Sequence, residues 1–153
     1  MRIVQAGTAG DLAQIQDLFV EYARELGVDL GFQGFTLELA GLPGLYAPPA
    51  GRLLLAIENG EPAGCVALRP REAGVCEMKR LFVRPAFRHR AIGRALAERI
   101  ISEARLAGYC LMQLDTLPAL ENATRLYESL GFSRCPGYYD TPLPETIFME
   151  LRL

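Results

Sequence analysis

The chain has 153 residues, 50% of them hydrophobic, which is enough to bury the core of one domain spanning residues 1–153. Its formal net charge of −2 at pH 7 argues against nucleic acid or an anionic membrane as the main partner. No apolar run reaches the roughly 18 residues of a membrane span, and no signal-peptide pattern opens the sequence. These observations predict a cytoplasmic protein that binds neither nucleic acid nor membranes.

The cysteines and the histidine bear on redox state and metal binding. Cys65, Cys76, Cys110 and Cys135 are widely spaced and form no C-x-x-C pair. Three of them lie in apolar runs, which predicts buried free thiols in a reducing compartment. With His89 as the single histidine, we predict no zinc or other metal site.

The beginning of the chain has the pattern of a strand followed by a helix. Residues 2–6 predict a short strand. Apolar residues then recur at helical spacing as far as Leu26, which predicts an amphipathic helix. Thr8 or Asp11 can cap its start, and Gly27 is expected to end it.

The segment 28–50 is the least regular part of the sequence, with four glycines and a Pro-Pro pair. One or two helical turns are expected at residues 36–39. Long irregular segments in compact domains are often functional or mobile. This segment therefore either covers one side of a binding cleft or is a variable connector.

Three strands are predicted in the middle of the chain. The first is continuously apolar at its centre, as expected for a sheet covered on both faces. Asn59-Gly60 is a strong hairpin signal. The predicted order is a strand at 52–58, a returning strand at 62–68, a second turn at 70–74 and a third strand at 75–83. Together they would form an antiparallel meander.

The last part alternates helices and strands. The predicted elements are a helix at 93–107, a strand at 109–115, a helix at 118–130 and final strands at 132–135 and 145–151. A strand, a crossover helix and another strand predict a parallel pair with a right-handed connection. The pattern by itself predicts an α+β or α/β domain.

The loop before the helix at 93–107 has the residues of an anion site. It follows an apolar strand and carries Arg88, Arg90 and Arg94, whose guanidinium groups suit phosphate oxygens. The small residues Ala91 and Gly93 let a ligand approach the backbone at the start of the helix, where N–H groups are unpaired. Two interpretations fit equally: a phosphate site, or a surface loop that caps a helix.

Three stretches together resemble the GNAT acetyltransferase superfamily. Arg88-x-x-Ala91-x-Gly93 resembles its pyrophosphate-binding R/Q-x-x-G-x-G/A loop, residues 77–85 resemble the preceding strand, and Tyr127-x-x-x-Gly131-Phe132 resembles its Y-x-x-x-G-F motif. The resemblance covers essentially the whole chain and implies a mixed α/β sheet with helices on both faces. Ala91 stands where the family usually has glycine, and it would be strained if its backbone were left-handed.

The resemblance implies that acetyl-CoA is the cofactor. In GNAT folds a bulged strand diverges from the next parallel strand, and its exposed backbone binds the pantetheine arm. The residues implied in cofactor binding are Leu81, Phe82, Val83, Arg88, His89, Arg90, Ala91, Ile92, Gly93, Arg94, Asn122 and Tyr127.

Two residues are candidates for the chemistry. Tyr127 matches the family tyrosine near the cofactor sulfur, where a phenol can protonate the departing thiolate. The spacing of Tyr127 also fits a plain core position. Glu77 is the candidate base that accepts the proton of the amine through a water molecule. Pairing of Glu77 with Lys79 or Arg80 on the sheet is the equally weighted alternative.

The acceptor is expected near the end of the first helix. By resemblance, Glu21, Tyr22 and Glu25 line the acceptor pocket, where two carboxylates would suit a cationic amine. The alternative is that these residues form a solvated helix face. This alternative is favoured, because charged residues on a helix usually face solvent. Tyr138 and Tyr139 resemble residues near the acceptor entrance, although an aromatic turn or a dimer contact would explain them as well.

The function that follows is direct transfer of an acetyl group from acetyl-CoA to a primary amine of a small-molecule or amino-acid-like acceptor. The alternative is a catalytically silent acyl-CoA sensor on the same fold. A nucleotide-binding protein is weaker, because no P-loop or G-x-G-x-x-G pattern is present. GNAT domains commonly dimerise, so the resemblance also makes a homodimer a candidate assembly.

Overall fold

The computed structural model describes residues 1–153 and contains one seven-stranded sheet with the strand order β1-β2-β3-β4-β5-β7-β6. The strands are β1 (Arg2–Gln5), β2 (Arg52–Glu58), β3 (Glu61–Glu72), β4 (Val75–Val83), β5 (Leu111–Thr116), β6 (Ser133–Arg134) and β7 (Ile147–Arg152). The α-helices are α1 (Ala9–Leu26), α2 (Phe35–Ala40), α3 (Ile92–Leu106) and α4 (Glu121–Ser129). None of the helices combines the length and apolar character that crossing a bilayer requires.

The strands pair antiparallel everywhere except between β4 and β5. This parallel pair, joined by α3, confirms the predicted crossover. Its ladder is short, because only residues 75–77 pair with residues 111–113. Beyond Glu77 the two strands diverge, so the second half of β4 faces a gap, as the family resemblance implied.

Helix α1 begins and ends as the sequence predicts. The Thr8 hydroxyl accepts from the Asp11 N–H at 3.0 Å, and the Asp11 carboxylate accepts from the Thr8 N–H at 3.2 Å. This reciprocal capping box satisfies two backbone donors that the helix itself cannot. Gly27 ends the helix at a φ of 71°, a left-handed angle that glycine adopts readily.

The segment 28–50 is more ordered than its composition indicates. It contains two 3₁₀ turns, Leu30–Gln33 and Gly44–Tyr46, on either side of α2. Helix α2 includes the predicted turns at 36–39. Leu30 and Tyr46 are buried and anchor the segment to the body of the protein.

Three sequence predictions about local structure are corrected. Strand β3 continues through Pro70 to Glu72, so the turn predicted at 70–74 is reduced to residues 73–74. Strand β2 begins at Arg52, opposite Leu68, so Pro70 lies beyond it at an edge of the sheet, where a residue without a backbone N–H is tolerated.

Helix α4 begins at Glu121 rather than at 118, because residues 117–120 form a separate turn closed by the Leu120 N–H and the Leu117 carbonyl at 2.9 Å. The cysteines are all free thiols, but Cys110 is exposed and Cys135 is half-buried, while Cys65 and Cys76 are buried. Cys110 precedes β5 and does not point into the core.

Two apolar cores lie on opposite faces of the sheet. On one face, Leu96 and Ile100 of α3 pack against β3 and β4, and Tyr127 of α4 joins them. On the other face, Ile15, Leu18 and Phe19 of α1 pack against β2 and β3. Burial on both faces explains why the predicted strand centres are continuously apolar.

A β-bulge in β4 sets the direction of the side chains in its second half. Cys65 of β3 pairs with Phe82 and Ala67 pairs with Lys79, so two residues of β4 oppose the single residue between them. Arg80, one of these two, has a φ of 62°. Met78 and Leu81 therefore pack in the α3-side core while Phe82 packs in the α1-side core, which strict alternation would not give.

Candidate active site

Two cavities meet where β4 and β5 diverge. The small cavity has a volume of about 40 Å³ and lies between the end of α1, β4 and the end of β5. The large cavity has a volume of about 400 Å³ and extends to the start of α4. Tyr22, Leu26 and Leu120 line both cavities, so the two are continuous parts of one cleft. Residues with polar side chains that line the small cavity are Tyr22, Gln33, Lys79, Arg80, Asp115, Thr116, Tyr127, Tyr139 and Thr146.

The large cavity brings together residues from three elements that are distant in sequence. Phe82 of β4, Arg88 of the basic loop and Asn122 of α4 all line it. Asn122 is exposed in the first turn of α4. The strand, the loop and the second helix therefore converge on one groove.

The start of α3 presents free backbone donors. His89 has a φ of 64° and Ala91 a φ of 60°, so both are left-handed. No side chain caps the helix, and the first N–H groups, those of Ile92, Gly93 and Arg94, have no intrahelical acceptor. A Cβ added to Gly93 would meet only Val83 Cγ2, at 3.7 Å, so internal packing does not require a glycine here. For Ala91 this left-handed conformation costs about 1 kcal/mol of conformational energy relative to glycine.

The arginines around this loop have different partners. Arg88 donates to the Val83 carbonyl at 3.0 Å and pairs with Glu25 at 2.6 Å. Arg94 pairs with Glu98 at 3.2 Å and donates to the Ser129 hydroxyl at 2.6 Å. Arg90 lies 5.6 Å above the Phe87 ring and pairs with no carboxylate, so its charge is free for a bound anion.

Tyr127 spans the core and the small cavity. Its ring is buried and packs edge-on against Phe132 with ring centroids 5.7 Å apart, yet the residue also lines the cavity. Burial, together with the nearby Tyr22 and Asp115, raises the pKa of the Tyr127 hydroxyl above its usual range. The phenol therefore keeps its proton at neutral pH, as a proton donor must.

Glu77 is buried within the sheet. Its side chain is 1% exposed and lies opposite Arg69 of β3, whose Nε and Nη2 both approach Oε1 at 2.8 Å. The Tyr138 hydroxyl donates to its other oxygen. Glu77 lines neither cavity. The predicted alternative of an ion pair on the sheet is thus right in kind, but the partner is Arg69, not Lys79 or Arg80.

Lys79 and Asp115 face the small cavity without a salt-bridge partner. Lys79 is 6% exposed and donates to Gln33 Oε1 at 3.0 Å. Asp115, near the end of β5, accepts a short hydrogen bond from the Tyr139 hydroxyl. Burial lowers the pKa of the Lys79 ammonium, and the negative charges of Glu77 and Asp115 oppose that effect.

Arg80 binds residues of the segment 28–50 and so holds that segment next to the small cavity. Its guanidinium forms a two-pronged pair with Glu38 of α2, with both N–O distances 3.0 Å, and donates to Gln33 at 2.9 Å. Leu30 and Phe32 of the same segment line the cavity. Of the two interpretations of this segment, the cover of a cleft is the one that these contacts support.

The comparison with known proteins decides the family. Residues 13–132 match the sequence model described as the Acetyltransferase (GNAT) family. The chain belongs to this family. An uncharacterized N-acetyltransferase of Schizosaccharomyces pombe is 43% identical over 94% of this chain and 89% of its own length. The N-acetylaspartate synthetase of Danio rerio is 34% identical over 75% of this chain and 44% of its own length.

Solved GNAT structures share the fold. An acetyltransferase from Streptococcus agalactiae has a TM-score of 0.80 at 23% identity, over 99% of this chain and 98% of its own. A GNAT family acetyltransferase from Elizabethkingia anophelis, solved with acetyl-CoA bound, has a TM-score of 0.59 at 25% identity, over 68% of this chain and 77% of its own. This GNAT protein is therefore an acetyl-CoA-dependent N-acetyltransferase, and the predicted family, fold and cofactor are confirmed.

The GNAT cleft contains part of the predicted acceptor site. Tyr22 lines both cavities and Tyr139 lines the small one. Tyr138 lines neither, because its hydroxyl is turned to Glu77 beneath an Arg71 guanidinium 4.5 Å from its ring. Tyr138 therefore packs behind the residues that line the cleft and does not face the cleft itself.

The two glutamates of α1 do not form the predicted anionic pocket. Glu21 pairs with Arg84 at 2.6 Å and lines neither cavity. Glu25 lines the large cavity, but its charge is balanced by Arg88. This corrects the prediction that the pair would attract a cationic amine, since an arginine already neutralises each carboxylate.

Sequence reasoning missed Lys79 and Asp115 as site residues of the GNAT cleft. Lys79 was considered only as an ion-pair partner. One signal could have found Asp115: it lies near the carboxyl end of a strand paired in parallel, which is where ligands bind in open α/β sheets.

Proposed function

We propose that this GNAT enzyme transfers the acetyl group directly from acetyl-CoA to the primary amine of a small, amino-acid-like acceptor. The observation that carries the proposal is the small cavity, in which Tyr127, Asp115 and Lys79 meet beside the diverging half of β4. The identity to an N-acetylaspartate synthetase supports an acceptor of this class.

The cofactor would lie along the cleft with its diphosphate at the start of α3. The free N–H groups of that helix and its positive dipole end stabilise phosphate oxygens, and Arg90 adds a charge that no carboxylate neutralises. The pantetheine arm would pair with the backbone of residues 81–83, in the manner of an added strand. Asn122 lines the same groove and can hydrogen-bond a pantetheine amide.

Acetyl transfer needs a proton acceptor and a proton donor. An acceptor ammonium would give one proton to a carboxylate that reaches the small cavity, which Asp115 does and Glu77 does not. The amine nitrogen then attacks the thioester carbon, and the carbon–sulfur bond breaks. The thiolate takes the phenol proton of Tyr127, the second amine proton restores the phenol, and Asp115 releases its proton to solvent.

The test is thiol release from acetyl-CoA with a panel of primary amines, followed by mass spectrometry of the acetylated product. We expect acetylation of at least one small amino-acid-like amine. Tight calorimetric binding of coenzyme A with no turnover of any amine would favour the silent acyl-CoA sensor. A protein that binds ATP but not coenzyme A would favour the nucleotide-binding alternative.

A further inference from the structure

Two opposite charges without salt bridges, Lys79 and Asp115, line the small cavity. The nearest cation to Lys79 in sequence, Arg80, is fully matched by Glu38 and Gln33. Lys79 itself has one hydrogen-bond acceptor, Gln33, although an ammonium has three donors. A buried charge with spare donors is costly unless a ligand supplies the counter-charge.

The choice of lysine at this position is itself informative. Lys79 is the only lysine among the 16 lysine and arginine residues of the chain. Arginine forms the exposed and structural ion pairs, where its planar fork gains two hydrogen bonds at once. The lysine at the cavity instead presents a compact ammonium with three donors.

Asp115 supplies the opposite charge on the facing strand. It accepts from the Tyr139 hydroxyl and forms no ion pair, including none with Lys79. Thr116, next to it in β5, is 7% exposed, and its buried hydroxyl has no hydrogen-bond partner in the protein although the residue lines the cavity. Two charged groups without salt bridges and one hydroxyl without a hydrogen-bond partner thus line the same cavity.

We propose that the acceptor is a zwitterionic amino acid whose carboxylate binds the Lys79 ammonium and whose amino group faces Asp115. This inference rests on the proposed function and specifies its acceptor. Two opposite charges in the wall of one cavity complement a ligand that carries both a cation and an anion. The small cavity can take the charged end of such a ligand, and its side chain can extend into the large cavity, which is continuous with it.

The electrostatic surroundings of Lys79 give the proposal an observable. The charged groups that act on it are Glu77 and Arg80 of β4, Asp115 of β5 and Arg69 of β3. Burial lowers the pKa of Lys79 in the free protein. A carboxylate bound at Nζ would favour the charged form, so binding of the amino acid should raise that pKa again.

The first experiment compares matched acceptors. Alanine and phenylalanine are each assayed against the decarboxylated amine (ethylamine and phenethylamine) and against the amino acid amide. We expect kcat/KM to be about 100-fold higher for the amino acid, because the analogue leaves a buried charge unpaired. Lys79→Met should reduce this ratio to within about threefold, and Lys79→Arg should retain part of it.

Arg99→Met is the matched control. It removes the same charge from an exposed position on α3, where Arg99 pairs with Glu103, and lies outside both cavities. The preference for the amino acid should persist in this variant. An equal loss of preference in Arg99→Met would show that net charge, not the Lys79 contact, sets the ratio, and would overturn the proposal.

The second experiment does not depend on turnover. Because the chain has one lysine, protein labelled with ¹³C at lysine Cε gives a single side-chain signal. The pH titration of this signal is recorded in the presence of coenzyme A, first without an acceptor and then with each acceptor in turn. We expect the amino acids, but not the decarboxylated amines, to shift the titration to higher pH.

The outcomes separate this inference from the proposed function. If simple amines and amino acids release thiol equally well and the lysine signal does not move, the enzyme is an acetyltransferase and the zwitterion assignment is wrong. If nothing releases thiol although the lysine signal responds to amino acids, the site assignment stands and the proposed reaction fails. Acetylation of Lys79 itself during turnover would contradict its role as a carboxylate-binding cation.

Discussion

At the scale of single residues, the cleft depends on side chains whose burial fixes their protonation. Tyr127 is held by packing against Phe132, and its hydroxyl remains a phenol because burial raises its pKa. Lys79 experiences the same burial with the opposite effect on its pKa. Desolvation disfavours the charged form of each group, so it keeps a proton on the tyrosine and makes the lysine depend on a counter-ion.

Tyr127→Phe should separate chemistry from binding. Loss of the hydroxyl removes the proposed proton donor to the thiolate but keeps the ring that packs in the core. We expect kcat to fall by about 100-fold, with the Kd of acetyl-CoA nearly unchanged. Steady-state kinetics and calorimetry test this together, and an equal loss of cofactor binding would assign Tyr127 a packing role instead.

Glu77→Gln should affect stability more than catalysis. It leaves Arg69 without its counter-charge, and we expect the free energy of unfolding to fall by about 2 kcal/mol, less than for a fully buried pair because Arg69 is 31% exposed. Urea denaturation measures the loss.

Asp115→Asn should instead lower kcat with a smaller effect on stability. A pH–rate profile altered in Glu77→Gln and unaltered in Asp115→Asn would return the base role to Glu77.

At the scale of elements, the site is produced by two interruptions of regular structure. The bulge at Arg80 directs consecutive side chains of β4 to the α1 side of the sheet, and the short β4–β5 ladder opens a gap beside them. The uncapped start of α3 leaves N–H groups at the end of the same cleft. Each interruption leaves backbone or side-chain groups unpaired, and these are the groups that a ligand can use.

Gly93→Gln should weaken cofactor binding. The family motif carries glycine or alanine at this second position of α3, and a longer side chain there would reach over the diphosphate site, so we expect the Kd of coenzyme A to rise about tenfold. Gly10→Gln, at the matching second position of α1, is the control and should leave that Kd unchanged. Unchanged binding in Gly93→Gln would place the diphosphate elsewhere.

Glu38→Gln should loosen the cover of the small cavity. The Arg80–Glu38 pair is the charged link between β4 and α2, and its side chains are 2% and 12% exposed. We expect amide hydrogen exchange in α2 to accelerate at least about tenfold and the KM of the acceptor to rise, with the sheet amides unchanged.

Glu98→Gln provides the comparison for this variant. It breaks an exposed pair on α3 that contributes a few tenths of a kcal/mol, about 0.5 at most. Exchange in α2 should therefore remain as in the wild type. Faster exchange throughout the protein in Glu38→Gln would mean that the pair stabilises the whole fold and not the cover alone.

At the scale of the whole molecule, a chain of net charge −2 carries four arginines close together after β4: Arg84, Arg88, Arg90 and Arg94. Glutamates pair with three of them, so only Arg90 keeps an unpaired positive charge. One free charge beside the uncapped start of α3 would favour the cofactor phosphates without giving the protein a general affinity for polyanions. A homodimer and a cytoplasmic location stay predictions.

The sequence alone determined most of the strands and helices and the position of the basic loop, and the resemblance to GNAT motifs indicated the family. These follow from local patterns: hydrophobic periodicity, the Thr8–Asp11 capping box, the Asn59-Gly60 turn and the motif around Gly93. Each pattern involves residues within a few positions of one another, so short-range physical chemistry fixes it.

Only the tertiary structure decided which charges meet. Arg69 takes Glu77 as its partner because β3 and β4 are in that register, and Arg84 and Arg88 neutralise Glu21 and Glu25 across the fold. Lys79 and Asp115 come together only because one bulge and one diverging strand pair bring distant parts of the chain to the same cavity. Pairing of charges depends on distance in space, which no sequence period encodes.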